Sequence, residues 1–404
     1  MNTIVGIDKA DVTPQRPCRM NGYNRSELSN GVLDPIQVNS LALTYSNESF
    51  VLCVVDSIMI SPEFAQAARD EISRRCVIPA ENITVCCIHT HSGPAFFKLA
   101  FEDTPAEGEL TAALLTSTIE SACRAWETRR PATPTMERVE IEGLYGNRNI
   151  KFGPEDKSCT VITFTADDGT AVGKLLNIST HPTILNGKSL VLSADLIGQL
   201  RLRLEDAWGC PVVCTNGTCG DVSTRFYRQG EGQPELMRTA DELTRQVLNG
   251  LAPVALTSGE GTRASGVIRM PTVFDARTDE DWKRMTEAIE ADPTAPTYPF
   301  YSARQQLKLA MSPINLTLVA HFAIFGNVII ITMPGDTLSS FGLKLKQAFP
   351  GFEVIVIGYA NTYCNYLVPE EEYGKYFETF NSRTPRGACD RFVERIIGTI
   401  KSFL

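Results

Sequence analysis

Two histidines that stand one residue apart are the part of this chain best suited to chemistry. The 404 residues include only four histidines, and His89 and His91 lie in the segment HTHSGP at the end of a β-branched run. On a strand, side chains two residues apart face the same side, so both imidazoles can serve one site, as two metal ligands or as a ligand and an acid–base group. The alternative is a pair of hydrogen-bonded histidines in a turn.

A third histidine, His181, ends another strand-like run, NIST. Alone, it would more often be a packed core residue. Catalytic zinc takes three protein ligands and keeps one position open, so beside the histidine pair we interpret His181 as a ligand. The fourth, His321, lies inside a predicted strand and is interpreted as a packed histidine. These residues predict a zinc hydrolase.

Three further polar segments follow predicted strands, where α/β proteins place their sites. The loop TNGTCGDVS offers Asp221 and Ser223 as base or nucleophile, or is an ordinary Asn-Gly turn. Asp336 would complete a set of two histidines and a carboxylate, but the sequence alone favours a helix N-cap. The tyrosines of YANTYCNY form an aromatic wall or pack in the core. No GxSxG segment occurs, which disfavours a serine triad.

The remaining pattern predicts one large domain of packed sheets and helices over residues 1–404. Predicted strands cover residues 49–56, 82–89, 136–141, 159–165, 172–179, 212–215, 316–324, 328–332 and 353–358. Predicted helices cover residues 62–75, 110–129, 196–207, 235–251, 338–348 and 388–402. The segment Phe325-Gly326-Asn327 signals a hairpin. Residues 259–301 are the least regular, and we interpret them as a surface excursion or a lid.

Composition narrows the class of protein. Hydrophobic residues make up 43% and charged residues 21% of the chain, an ordinary soluble balance. No apolar run approaches the roughly 20 residues of a membrane span, and no secretory signal is visible. Twelve cysteines without a CxxC pair predict reduced, buried thiols. The net charge of -9 argues against nucleic acid or an anionic membrane as partner. We therefore expect a cytoplasmic protein that acts on a small molecule.

Taken together, these segments resemble the neutral/alkaline non-lysosomal ceramidase family in its catalytic domain. The resemblance covers most of the chain. In order, it rests on ADVTP at 10–14, NGY at 21–23, HTHSGP at 89–94, NRN at 147–149, GDVS at 220–223, PGD at 334–336 and NTYCNY at 361–366. HTHSGP and GDVS in this order are specific, and the others support them. The resemblance implies a large α/β (α+β) domain with mixed β-sheets flanked by helices.

The resemblance also implies roles for individual residues. The family's zinc would be held by His89, His181, Asp336 and Tyr366. His91 would face the scissile amide as hydrogen-bond donor or acid–base group. The family's essential serine would be Ser223, and Arg148 would contact substrate.

The chain departs from the family pattern at several points. The family has glutamate where this chain has Asp336, and proline where it has Thr224. Ceramidases also carry a C-terminal immunoglobulin-like domain and are exported or membrane-facing. We expect this chain to end with the catalytic domain and to need no stable membrane insertion.

The main hypothesis is zinc-dependent hydrolysis of an amide in a soluble N-acyl compound. Asp221 or His91 would steer protons, and backbone amides near Cys219 and Gly220 would stabilise an oxyanion. Ser223 either attacks directly or positions the hydrolytic water. Two alternatives remain: a zinc-dependent esterase or lactonase acting on a polar small molecule, and a non-catalytic binding protein of the same fold. The acyl group, head group and oligomeric state stay open.

Overall fold

The computed structural model describes residues 3–46, 48–99, 104–257, 263–295, 297–299, 301–302, 305 and 313–404. Its strands are β1 (Thr3–Asp11), β2 (Gly31–Val32), β3 (Gln37–Tyr45), β4 (Glu48–Val55), β5 (Ile83–Cys87), β6 (Arg130–Glu140), β7 (Gly146–Asn147), β8 (Ser158–Ala166), β9 (Ala171–Ile178), β10 (Val191–Leu192), β11 (Val212–Asn216), β12 (Val222–Ser223), β13 (Ala252–Val254), β14 (Arg263–Phe274), β15 (Ile314–Phe325), β16 (Val328–Thr332), β17 (Asp336–Thr337), β18 (Glu353–Ile357) and β19 (Tyr366–Leu367). Its α-helices are α1 (Pro62–Cys76), α2 (Gly108–Glu127), α3 (Asp195–Trp208), α4 (Gly232–Gly250), α5 (Glu280–Ala291), α6 (Ser339–Gln347), α7 (Phe377–Phe380) and α8 (Ala388–Lys401). Two 3₁₀ turns cover Ala80–Asn82 and Glu370–Glu372.

A nine-stranded mixed sheet forms the larger core. Its strand order is β11-β9-β8-β6-β1-β3-β4-β5, and β13 also pairs with β6. The pairs β1–β3, β3–β4, β6–β8 and β8–β9 are antiparallel, whereas β4–β5 and β9–β11 are parallel. Helix α2 packs on β1 and β3, and α3 packs on β11. The parallel pairs include β5, which precedes His89 and His91, and β9, which precedes His181.

A second, four-stranded sheet has the order β14-β15-β16-β18. Strands β16 and β18 run parallel, so the segments after them leave the sheet at the same edge. Helices α6 and α8 cover this sheet and bury Phe341 and Phe392. The predicted hairpin is confirmed: Phe325 pairs with Val328, and Gly326 adopts a φ of +61° that suits glycine. The mixed α/β class expected from the sequence is confirmed.

The segment interpreted as an irregular excursion is more regular than expected. Strand β14 pairs with β15 along its whole length, and α5 begins after Asp279, whose side chain accepts a 2.9 Å hydrogen bond from the Trp282 amide. Strand β14 lies at the sheet edge, where Pro271 removes no ladder bond inside the sheet. The prediction of an irregular segment was therefore wrong for β14 and α5. Residues 259–262, 296 and 300 of the segment lie outside the described parts, and the lid role stays a prediction.

Two expectations about composition can be compared with the structure. All twelve cysteines are buried free thiols, as predicted. Within the described ranges, no helix combines the length and apolar character needed to cross a bilayer.

Candidate metal centre

The histidine pair is positioned by a turn rather than by a strand. Strand β5 ends at Cys87, and His89 adopts a left-handed φ of 69°. Its Nδ1 lies 2.5 Å from the carbonyl oxygen of Ile58, and Nδ1 of His91 lies 3.0 Å from that of Gly22. A Cβ on Gly22 would lie 2.5 Å from the His91 Cα, so glycine is required there. The expected shared strand face was therefore wrong, although both imidazoles do reach one site.

His181 brings the third imidazole from the end of β9. Its Nδ1 lies 3.1 Å from the carbonyl oxygen of Cys219. The Nε2 atom of His91 lies 3.2 Å from Nε2 of His89 and 3.2 Å from Nε2 of His181. A carbonyl oxygen only accepts hydrogen bonds, so we assign the proton of each ring to Nδ1. Three Nε2 lone pairs then converge with no proton between them.

Asp336 adds a carboxylate to this convergence. Its Oδ1 lies 3.1 Å from Nε2 of His89, and the residue is fully buried. The hydroxyl of Tyr359 donates to Oδ1 at 3.1 Å, and that of Tyr363 donates to Oδ2 at 2.5 Å. The helix N-cap favoured by the sequence is wrong, because α6 begins at Ser339 after Leu338. The carboxylate is instead committed to the histidine and the two phenols.

The donor set fits a divalent cation such as zinc. A tetrahedral site with Zn–N and Zn–O bonds of about 2.0–2.2 Å separates neighbouring ligand atoms by roughly 3.3–3.5 Å. Nε2 of His89 lies 3.1 Å from Oδ1 of Asp336, and the two 3.2 Å distances both involve Nε2 of His91. Burial lowers the pKa of His91 to about 3 and that of His181 well below its ordinary value, which favours the neutral imidazole that binds metals. A cation would relieve the repulsion among the lone pairs and the carboxylate. The three histidines form a possible metal-binding group.

A cavity of about 640 Å³ opens over this cluster. Its lining includes all three histidines together with Arg148, Ser223 and Tyr366. Residues that lie as far apart in the sequence as His89 and Tyr366 therefore line one cavity. Pro299 also lines the cavity, so the segment interpreted as a lid reaches its rim.

Solved structures share this arrangement of sheets and helices. The crystal structure of neutral ceramidase from Pseudomonas aeruginosa matches with a TM-score of 0.74, over 98% of this chain and 74% of that chain. This chain has the neutral ceramidase fold. A ceramidase complexed with C2 matches with the same TM-score, over 100% of this chain and 76% of that one. The identities are 15% and 14%. No protein-family model matches the chain.

Within the neutral ceramidase fold, Ser223 and Asp221 have different surroundings. Ser223 lines the cavity, and its Oγ accepts a 3.1 Å hydrogen bond from the Arg225 amide. The Asp221 carboxylate lies behind the cavity. It accepts hydrogen bonds from the amide and hydroxyl of Ser339, at 2.8 and 2.6 Å, and from the amide side chain of Asn147 at 2.8 Å. Asp221 thus joins α6 to β7, and we do not retain it for proton transfer.

The three tyrosines after β18 also have different partners. Tyr359 stacks on His89 with ring centroids 4.2 Å apart, and Tyr363 reaches Asp336. The Tyr366 hydroxyl instead accepts a 3.1 Å hydrogen bond from Arg148. The distances therefore favour Tyr363 over Tyr366 as the phenol of the candidate metal centre. Left-handed residues, including Asn361, make the segment irregular, so spacing alone gave no signal for this choice.

Sequence reasoning also missed the partner of Arg148. Nε of Arg148 donates to Oε1 of Glu378 at 2.8 Å, and both side chains are largely buried. Burial opposes the positive charge, but Tyr366 and Glu378 raise the pKa of Arg148 above its ordinary value. Arg148 is thus a fixed cation beside Ser223. The amide of Gly220, expected near an oxyanion, donates to the Thr337 carbonyl at 3.0 Å and is not free for that role.

Proposed function

We propose that this protein is a zinc-dependent hydrolase that cleaves an amide bond in a small N-acyl compound. The observation that carries the proposal is the convergence of three unprotonated imidazole nitrogens and one carboxylate at the floor of a cavity. The shared fold with neutral ceramidases supports an amide as the bond that is cleaved.

In this proposal, His89, His181 and Asp336 hold the metal. All three are buried, and each histidine is oriented by a carbonyl that receives its Nδ1 proton. When bound, zinc supplies polarisation of a carbonyl group and activation of water near neutral pH. Tyr363 orients the Asp336 carboxylate from the opposite side.

His91 has the role of substrate-facing acid–base group. It is the one histidine of the cluster that is not fully buried, and it packs beside Tyr23 with ring centroids 5.4 Å apart. Its Nδ1 is occupied by the Gly22 carbonyl, so Nε2 is the atom that accepts and returns a proton. The same Nε2 lies within the cluster, and the alternative is that His91 serves as a third histidine ligand.

Arg148 and Ser223 act on the substrate carbonyl. The guanidinium of Arg148 is held by Glu378 and donates charge-assisted hydrogen bonds to the oxygen on which negative charge develops. The Ser223 hydroxyl either attacks the carbonyl carbon or orients the attacking water. Mass spectrometry of a single-turnover reaction would distinguish these roles, because only direct attack leaves an acyl group on Ser223.

The decisive experiment joins metal analysis to hydrolysis. The purified protein is loaded with zinc and assayed on N-butanoylethanolamine and on the matched ester, 2-hydroxyethyl butanoate. We expect one zinc per chain and cleavage of the amide, both lost in His89→Ala. The variant His321→Asn is the control, since His321 lies outside the cluster, with its Nδ1 2.8 Å from the Glu81 carbonyl oxygen. Cleavage of the ester alone would favour the esterase, and absence of bound zinc would favour a binding protein.

A further inference from the structure

The described lining of the cavity carries an unusual charge. It includes Arg148, Arg225 and Arg228 and no carboxylate. Asp336 lies beneath the histidines and is held by two phenols. A bound divalent cation would add further positive charge to the same space. The lining of the cavity is therefore electropositive.

The three arginines differ in how their charges are balanced. Arg148 forms an ion pair with Glu378 at 2.8 Å. Within the described ranges, Arg228 donates to two neutral oxygens: its Nε to Oγ1 of Thr224 at 2.6 Å and its Nη2 to the Thr183 carbonyl at 2.7 Å. Its Nη1 takes part in neither bond. Among the residues that the structure describes, no carboxylate forms an ion pair with Arg225 or Arg228.

The positions of these two cations tie them to the reacting centre. Arg228 bridges two segments, since Thr183 follows His181 by two residues and Thr224 follows Ser223 directly. Arg225 is fixed at its backbone by the hydrogen bond to Ser223 Oγ. Both residues therefore lie on the Ser223 side of the cavity. We refer to Arg225 and Arg228 as the arginine pair.

We propose that the substrate carries an anionic group, a carboxylate or a phosphate, that is bound by the arginine pair. This inference rests on the proposed amide hydrolysis and names the substrate class. A guanidinium presents several N–H donors in a planar fork that suits either oxyanion. A half-buried cation without a counter-charge, such as Arg228, is stabilised when such an anion arrives. An N-acyl amino acid or a phosphorylated N-acyl amine fits this description, whereas an uncharged N-acyl amine leaves both cations unpaired.

Matched pairs of substrates test the inference in the zinc-loaded protein. The carboxylate arm compares N-butanoylalanine with N-butanoylalaninol, and the phosphate arm compares N-butanoyl-O-phosphoethanolamine with N-butanoylethanolamine. We expect kcat/KM to be at least about 10-fold higher for the anionic member of one pair, because charge-assisted hydrogen bonds contribute effects of this size. The arm that shows the preference identifies the oxyanion.

Variants of the arginine pair should remove the preference. Arg225→Ala and Arg228→Ala are each expected to lower kcat/KM for the anionic substrate by roughly 10-fold to 100-fold, mainly through KM, and to change the neutral substrate by less than about 3-fold. Arg228→Lys should restore part of the loss, because it keeps the charge without the fork. Arg245→Ala is the matched control: it removes one positive charge from an exposed pair with Glu242 on α4, away from the cavity.

A binding measurement separates this inference from the proposed hydrolysis. Calorimetry with N-(methylsulfonyl)alanine and N-(methylsulfonyl)alaninol, which contain no cleavable amide, reports recognition alone. Tighter binding of N-(methylsulfonyl)alanine that depends on Arg225 and Arg228 supports the inference, whether or not an amide is cleaved. Absence of amide cleavage would contradict only the proposed function. Two results would overturn the inference. One is equal binding of the two sulfonamides together with equal hydrolysis within each of the two substrate pairs. The other is an equal loss of kcat/KM for the anionic and the neutral substrate in the arginine variants.

Discussion

The two walls of the cavity differ in how their polar groups are satisfied. One wall, which we propose holds the metal and call the metal side, contains His89, His181 and Asp336. All three are buried, and each is oriented by a carbonyl or phenol partner. On the Ser223 side, Arg225 is exposed and Arg228 is half-buried, and neither has a carboxylate partner in the described chain. A fully oriented, buried set suits one ion that never changes. A charged, partly open wall suits a ligand that must enter and leave.

Burial explains why the metal side is built so rigidly. A buried polar group without a partner is costly, so each ligand needs an outer contact that fixes its ring or carboxylate. Those contacts come from distant segments, such as the Ile58 and Cys219 carbonyls. The open wall has water as an alternative partner and needs no such arrangement. The predictions below test this division between the walls.

The largest expected effect is loss of the metal from His89→Ala. Removing this imidazole deletes a ligand and leaves Asp336 without its histidine partner. We expect zinc occupancy to fall below detection by atomic absorption, and hydrolysis to fall by roughly 1,000-fold or more. His321→Asn should keep both. Full zinc occupancy in His89→Ala would show that His89 does not hold the zinc.

His91→Ala should separate binding from turnover. We expect this variant to keep one zinc per chain and to lose roughly 100-fold to 1,000-fold in kcat, the usual range for a general acid–base group. Metal content and kcat measured on the same preparation decide the matter. Loss of zinc together with activity would instead make His91 a third histidine ligand.

Removal of the metal should weaken the fold. An ion that binds only the native state, at a free concentration 100 times its dissociation constant, adds about 2.7 kcal/mol to the free energy of unfolding. We expect a strong chelator to lower Tm and zinc to restore it. The variant His89→Ala should show no such response. A Tm independent of zinc in the wild-type protein would contradict the metal side as described.

The smallest expected effect distinguishes two tyrosines. Tyr363→Phe removes the hydroxyl that donates to Asp336, and we expect zinc affinity to fall by roughly 10-fold to 100-fold, as for other outer partners of metal ligands. Tyr366→Phe removes the hydroxyl that accepts from Arg148 and should leave zinc affinity unchanged. Competition with a chelating dye measures both. The reverse order would restore Tyr366 as the metal-site phenol.

Much of the fold could be predicted because local patterns agree with tertiary packing. Strand β16 has the predicted bounds, and α1 and α8 differ from prediction by one residue at one end. Strand β14 could not be predicted, because its pairing partner β15 follows about 40 residues later and its proline reads as irregular. The N-terminal β1 and β3 also went unpredicted, and they lie at the centre of the larger sheet.

The sequence by itself determined that rare imidazoles follow buried strands, because residue types and strand-end positions are local properties. The resemblance to a family implied that Ser223 and Arg148 belong with them, and both residues line the cavity. Only the tertiary structure decided that Asp336 accepts from Tyr363 rather than capping a helix, and that Asp221 is committed to Ser339. Those choices depend on which hydrogen-bond donors meet a carboxylate. The donors come from segments that are distant in sequence and are brought together by the packing of the two sheets.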